Sequence, residues 1–239
     1  MDFKNKIAIV TGAARGIGEA VARELAMGGA TVAMTDVQSD ALAEAAANIR
    51  AAGGRVRTFV NNVCDEADVH RVVDAVAAEF GRIDILVNNA GVYDDNMPFE
   101  QQSSDAWKRK IDINILGTMY FTQAALRWMT AQHAGRIVNL ASVAAVYGIE
   151  YFVDYSMTKG AIVSFTRALA KHVAPNGITV NAVSPGNIHA HGGNLPDMSF
   201  LGRSGSCEEC AHVICFLASD DASYVSGQNY QVDGCRRAM

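Results

Sequence analysis

Residues 6–18 read KIAIVTGAARGIG. Residues 7–11 form a continuous run of apolar and β-branched residues. Such a run, bounded by a turn signal, is the pattern of a strand buried on both faces. The run ends in TGAARGIG (11–18), where Gly12, Gly16 and Gly18 fall at G-x-x-x-G-x-G spacing. An amphipathic helix over 18–29 follows directly and closes on glycines. A glycine turn between a buried strand and a helix brings backbone N–H groups to a helix N-terminus. There the N–H groups and the helix dipole favour a pyrophosphate. The glycines serve the tight turn and the close approach of backbone to ligand.

Outward from this unit, strands and helices alternate to the end of the chain. Strands are expected at 6–12, 30–36, 55–63, 83–91, 135–142, 178–186 and 228–234. Helices are expected at 18–29, 39–54, 65–81, 103–130, 153–174 and 208–218. Alternation with mostly continuous apolar strands implies an α/β fold: a doubly wound parallel sheet of about seven strands with helices on both faces. The chain has 239 residues, half of them hydrophobic, which suits one large domain over 1–239. There is no repeat or linker. The irregular stretch is 186–206, GNIHAHGGNLPDMSFLGRSGS, and a loop that long in a compact domain is often functional.

Composition narrows the partners. A net charge of -5 with no basic run argues against nucleic acid. With no long apolar run and no signal-peptide pattern, the expectation is a soluble, cytoplasmic protein without membrane contact. An odd count of five cysteines argues against a disulfide framework. Cys207, Cys210, His212 and Cys215 are all metal-ligand types, but they lack a second spaced pair. Cys210 and Cys215 read more simply as small core residues, and no metal is expected.

Asp36 closes the second strand, roughly 20 residues past the glycines, where an acidic side chain accepts from an adenosine ribose. Its charge would repel a 2′-phosphate, so NAD is favoured over NADP. Arg15 within the loop pulls the other way, and Asp36 also suits a plain turn. In DYSMTK (154–159), Tyr155 and Lys159 stand at i and i+4 and share a helix face. Alone, that pair reads more simply as a half-exposed surface pair.

TGAARGIG, NNAG (88–91), Asn114 in INILG, Ser142 in NLASVAA, YSMTK (155–159) and SPGNI (184–188) occur in one order. Together they make the whole chain resemble a short-chain dehydrogenase/reductase of about 250 residues with a Tyr-x-x-x-Lys active site. The resemblance implies a single Rossmann-fold domain and reversible hydride transfer between NAD and a secondary alcohol or ketone. It implies that Tyr155 is the general acid/base and that Ser142 hydrogen-bonds the substrate oxygen. Lys159 would hold the nicotinamide ribose, and Asn114 would anchor a proton-relaying water. A free tyrosine titrates near 10, and a nearby ammonium favours the phenolate, so Lys159 is expected to lower the pKa of Tyr155. Arg15, Ile17 and the three loop glycines would bind the cofactor phosphates. Asn62 and Val63 would border the adenine, Asn88, Ala90 and Gly91 the adenosine, and Pro185, Gly186 and Ile188 the nicotinamide.

The chain departs from such relatives in two places. Ala190 stands where they carry threonine, and the segment after Gly186 is short, which implies an open substrate mouth holding His189 and His191. Tyr147, Tyr151 and Phe152 are expected to make an apolar wall, with Met97, Phe99 and Trp107 as further contributors. An open apolar pocket suits a bulky cyclic substrate such as a hydroxysteroid. The alternatives are an NADPH-dependent 3-oxoacyl carrier-protein reductase and, from another class, a non-catalytic dinucleotide-binding sensor. Relatives of this type associate through the helices near 103–130 and 153–174 and the last strand, so a homo-oligomer, tetramer or dimer, is expected.

Overall fold

The computed structural model describes residues 1–94, 97–188 and 194–237. Seven strands run β1 Ile7–Thr11, β2 Thr31–Asp36, β3 Arg55–Val60, β4 Ile85–Asn88, β5 Gly135–Leu140, β6 Ile178–Pro185 and β7 Asn229–Val232. The helices are α1 Gly16–Met27, α2 Ser39–Ala51, α3 Glu66–Phe80, α4 Ser104–Ile111, α5 Gly117–Gln132, α6 Ala144–Tyr147, α7 Val153–Val173 and α8 Cys207–Ala218. All sheet neighbours are parallel, in the order β3-β2-β1-β4-β5-β6-β7. The order reverses between β1 and β4, and an open α/β sheet forms its ligand crevice at that switch point, beyond the carboxyl ends of the strands.

Alternation along each strand divides the apolar side chains between two faces. Ala8 and Val10 of β1 join Val21 and Leu25 of α1, Leu42 and Ile49 of α2, and Ile214 and Leu217 of α8. Ile7 and Ile9 face the other way, onto Val72 and Val76 of α3, Phe121 and Met129 of α5, and Val173 of α7. Both faces of the inner strands β1, β4, β5 and β6 are therefore largely dry, and there the chain reads as nearly unbroken apolar runs, whereas the edge strands β3 and β7 are largely exposed.

The expected 103–130 helix is interrupted. α4 and α5 are joined by a π-helical turn over Asp112–Leu116. The strand expected over 83–91 ends at Asn88, because the next two N–H groups leave the ladder: Asn89 and Ala90 both donate to Thr11 Oγ1 at 3.0 Å. α8 starts at Cys207, one residue before the expected 208, on a capping box between Ser206 and Glu209. Cys210 and Cys215 are core residues of α8, as expected.

Candidate active site

The glycine turn is held by contacts that a sequence cannot display. Gly12 and Gly16 take φ of 63° and 64°, the left-handed region open to glycine. A Cβ on Gly18 would lie 2.2 Å from Gly12 O, so only glycine lets α1 start this close to β1. Asn89 Nδ2 donates to Thr11 O and Gly12 O, both at 2.9 Å, and staples the end of β4 to the turn. Arg15, the exposed N-cap residue of α1, makes no side-chain capping bond. The leading N–H groups of α1 therefore receive no side-chain acceptor from the cap, which fits a phosphate cradle. Ile17 packs against the core beneath.

At the end of β2, Asp36 Oδ2 accepts from Ala14 N at 3.1 Å and Oδ1 from Gln38 N at 3.0 Å. The carboxylate is thus fixed against the loop, with lone pairs left for a ribose diol. Asn62 is exposed, and its Oδ1 accepts from Cys64 N at 3.1 Å. Val63 lies under Gly117, where a Cβ would come within 2.8 Å of it. Asn88 differs from expectation. Its side chain is buried and donates to Thr122 Oγ1 at 3.0 Å and Asn139 Oδ1 at 2.9 Å, away from the crevice. β4 and β5 are in register at Asn88 and Asn139, so one asparagine reaches the other across the sheet. The Asn88 amide nitrogen is thus committed to protein, while its Oδ1 is buried without a hydrogen-bond partner.

Asn114, Ser142, Tyr155 and Lys159 converge at the same crevice. Asn114 sits in the π-helical turn, wholly buried. Its side chain accepts from Val92 N at 2.8 Å and donates to Val92 O and Thr158 Oγ1, each at 3.0 Å. Its side-chain oxygen and amide are thus committed to protein, so any water-holding role falls to its main chain. Gly91 passes between Asn114 and Lys159: a Cβ there would be 3.2 Å from Asn114 Oδ1 and from Lys159 Nζ. Lys159 Nζ donates to Leu140 O at 2.7 Å and stands 5.8 Å from the centre of the Tyr155 ring.

The Ser142 side chain faces the Tyr155 phenol. Burial pushes the Tyr155 pKa up to about 12; Ser142 offsets part of this, and Tyr93 adds to it. Burial also pushes Lys159 down to about 8. The expected lowering of the Tyr155 pKa by Lys159 is outweighed, and the net shift is upward. Lys159 is buried and Tyr155 is half-buried, and desolvation favours the neutral form of each over the charged one. At neutral pH the site holds a protonated phenol against a serine hydroxyl, the arrangement of a proton donor to a carbonyl oxygen.

Around Tyr155, Phe152 and Tyr93 lie edge-on, with ring centres 6.2 Å and 6.1 Å away. Tyr147 and Tyr151 are exposed nearby in the chain, and Phe99 and Trp107 stack on each other at 5.2 Å. Pro185, Gly186 and Ile188 line the end of β6, half-buried. Gly186 is pressed so close to Asp233 that a Cβ would sit 2.6 Å from the Asp233 Cβ. His189, Ala190 and His191 lie outside the described residues. Residues 195–201 are tied to the C-terminal tail, with Phe200 N donating to Cys235 O at 2.9 Å and Arg237 N to Met198 O at 3.1 Å.

Sequence reasoning missed Thr11, Asn89, Tyr93 and Thr158. Asn89 lay inside a motif already singled out, but its staple to Gly12 joins segments 77 positions apart. The described residues contain no group of three or more metal-ligating side chains. No helix among them is long and apolar enough to cross a membrane.

Comparison with known proteins adds to the geometry. Residues 12–235 match a family described as enoyl-(acyl carrier protein) reductase. The 3-oxoacyl-(acyl-carrier-protein) reductase FabG of Thermotoga maritima is 37% identical over 98% of both chains. A short-chain type dehydrogenase/reductase from Mycobacterium ulcerans superposes with a TM-score of 0.94 at 33% identity, over 98% of this chain and 90% of that one. An NAD+-bound xylitol dehydrogenase superposes at 0.93 with 34% identity, over 98% of this chain and all of the other.

Proposed function

Since the chain belongs to the short-chain dehydrogenase/reductase family, an oxidoreductase family, we propose that it reduces the ketone of a 3-oxoacyl thioester to a secondary alcohol with a nicotinamide cofactor. The observation that carries the reading is the Tyr155 phenol facing Ser142, with Lys159 Nζ 5.8 Å from the Tyr155 ring centre and the rings of Tyr93 and Phe152 edge-on beside it. Thioester substrates are favoured by the name of the Thermotoga relative, and more so than the hydroxysteroid that the apolar wall alone implied. The presence of all four catalytic side chains speaks against a non-catalytic sensor.

In this reading Ser142 and Tyr155 bind the substrate oxygen together. Bound nicotinamide supplies the hydride. Tyr155 gives its phenolic proton to the oxygen as charge develops there, and Ser142 holds that oxygen in line. Lys159 holds the ribose hydroxyls and presents an ammonium toward the tyrosine as it becomes phenolate. Gly12, Gly16, Ile17, Gly18 and Arg15 hold the phosphates. Val63 and Asn62 border the adenine, Ala90, Gly91 and the Asn88 backbone the adenosine, and Pro185, Gly186 and Ile188 the nicotinamide.

Asp36 favours NADH over NADPH, because a 2′-phosphate would meet its carboxylate. This observation supports a second reading, an NAD-linked alcohol dehydrogenase acting on a polyol, as the name of one structural neighbour states for that protein. Cofactor absorbance decides between them: purified protein is given NADH or NADPH with an acetoacetyl thioester, a cyclic ketone, a ketosteroid and a sugar-derived ketone. Turnover of the thioester, at least tenfold faster than of the other ketones, is expected with NADH. Turnover of the sugar-derived ketone alone would establish the second reading, and thioester turnover with NADPH alone would overturn the role given to Asp36.

Oligomerisation belongs to the same proposal. Along the outer side of α5 and α7 runs a cavity of about 920 Å³ whose lining includes Met119, Tyr120, Leu126, Phe165 and Leu169. A second copy of the chain laid on this face would cover it.

A further inference from the structure

A lysine lies wholly buried beside the catalytic helix, and the reaction as derived does not use it. Lys110, on α4, is 0% exposed. Its Nζ lies 2.7 Å from Asp154 Oδ2 and 3.9 Å from Asp94 Oδ1. Asp154, itself 3% exposed, directly precedes Tyr155, and its other oxygen accepts from Tyr155 N at 2.8 Å. Asp94 directly follows Tyr93 and is also gripped by Arg109, the neighbour of Lys110 on α4. The rings of Tyr93 and Tyr155 meet edge to face.

Replacing a buried ion pair by apolar residues of similar volume is often neutral for stability or better, so such a pair is weak as a stability device. Its charges demand a fixed geometry, however, and here that geometry joins the chain on one side of the cleft to the chain on the other. We propose that Lys110 is a positioning residue that sets the width of the substrate entrance: by holding Asp94 and Asp154 to α4, it fixes the distance between Tyr93 and Tyr155 and excludes ketones branched beside the carbonyl. The inference rests on the carbonyl-reduction reading of the site but is tested partly apart from it.

The test compares the parent with the double variant Lys110→Met/Asp154→Asn. This removes both charges together and keeps an acceptor for Tyr155 N. The first readout is the alkaline absorbance titration of Tyr155, isolated by subtracting the Tyr155→Phe counterpart of each protein. The groups facing the phenol are Ser142 from the end of β5, Tyr93 from the β4 loop and Lys159 from its own helix, all unchanged in the variant. A loosened entrance admits water, so the midpoint should fall from about 12 toward the ordinary 10. The second readout is kcat/KM for an unbranched and an α-branched 3-oxoacyl thioester. Misplacement of Tyr155 should lower the unbranched value by about a hundredfold, while the branched-to-unbranched ratio rises at least about tenfold. An unchanged Tyr155 midpoint together with an unchanged ratio overturns the proposal, whatever happens to the melting temperature. If the midpoint falls but the parent reduces neither thioester, the clamp stands and the substrate reading fails. Should the double variant not fold, Asp94→Asn, at a partly exposed position, takes its place under the same criteria, with smaller shifts in the same direction.

Discussion

At the scale of single residues, the site trades stability for a charge kept out of water. Lys159 is buried, with its pKa pushed down to about 8 from 10.5. Below pH 8 the lysine is protonated both folded and unfolded, and the folded state carries the full penalty. Between about 8 and 10.5 the unfolded chain binds more protons than the folded one, so stability rises with pH across that window. The penalty amounts to about 3 kcal/mol, against about 2 kcal/mol for the charged hydrogen bond to Leu140 O. Lys159→Met should therefore be more stable than the parent at pH 7, by about 1 kcal/mol in urea unfolding, while losing nearly all turnover. The advantage should vanish by pH 10.5, before the Tyr155 phenol, with its pKa raised to about 12, begins to titrate. A variant less stable than the parent at pH 7 would refute this account of the site.

Among the elements, the π-helical turn matters most. A regular helix through Asp112–Leu116 would place its side chains on different faces. The extra residue turns Asn114 toward Val92, on the loop after β4, and toward Thr158, on α7. One side chain thus ties three elements around the crevice. Asn114→Ala would leave the Val92 N–H, the Val92 carbonyl and the Thr158 hydroxyl without this partner. A loss of about 3 kcal/mol in urea unfolding is expected for the ligand-free protein, at about 1 kcal/mol for each group. An unaltered midpoint would show that solvent replaces the amide and that the turn is not held from this position.

For the whole molecule, the half-buried apolar strip on α5 and α7 is the feature a single chain leaves unfinished. Phe165→Glu places a charge in the middle of that strip and at a distance from Tyr155 and Asp36. Sedimentation should show the parent as an oligomer, with the variant dissociating at least tenfold more readily, about 1.4 kcal/mol per interface. A parent that sediments as a single chain would overturn the second-copy proposal and leave the chemistry of the site untouched.

Much of this architecture was legible in the chain alone. Local pattern carried the alternation of strands and helices, because a strand buried on both faces must be apolar throughout. It also carried the glycine turn, because positive φ at Gly12 and Gly16 and the crowding at Gly18 admit no other residue easily. The i, i+4 spacing by itself puts Tyr155 and Lys159 on one helix face. Tertiary structure decided what depends on distance through space and on exclusion of water. It turned Asn88 away from the crevice, ended β4 at the Thr11 hydroxyl, and brought Lys110 to Asp154 across 44 positions. It also set the pKa values of Tyr155 and Lys159 opposite to what their proximity alone implies, since desolvation is a property of the packed site and not of neighbours in the chain.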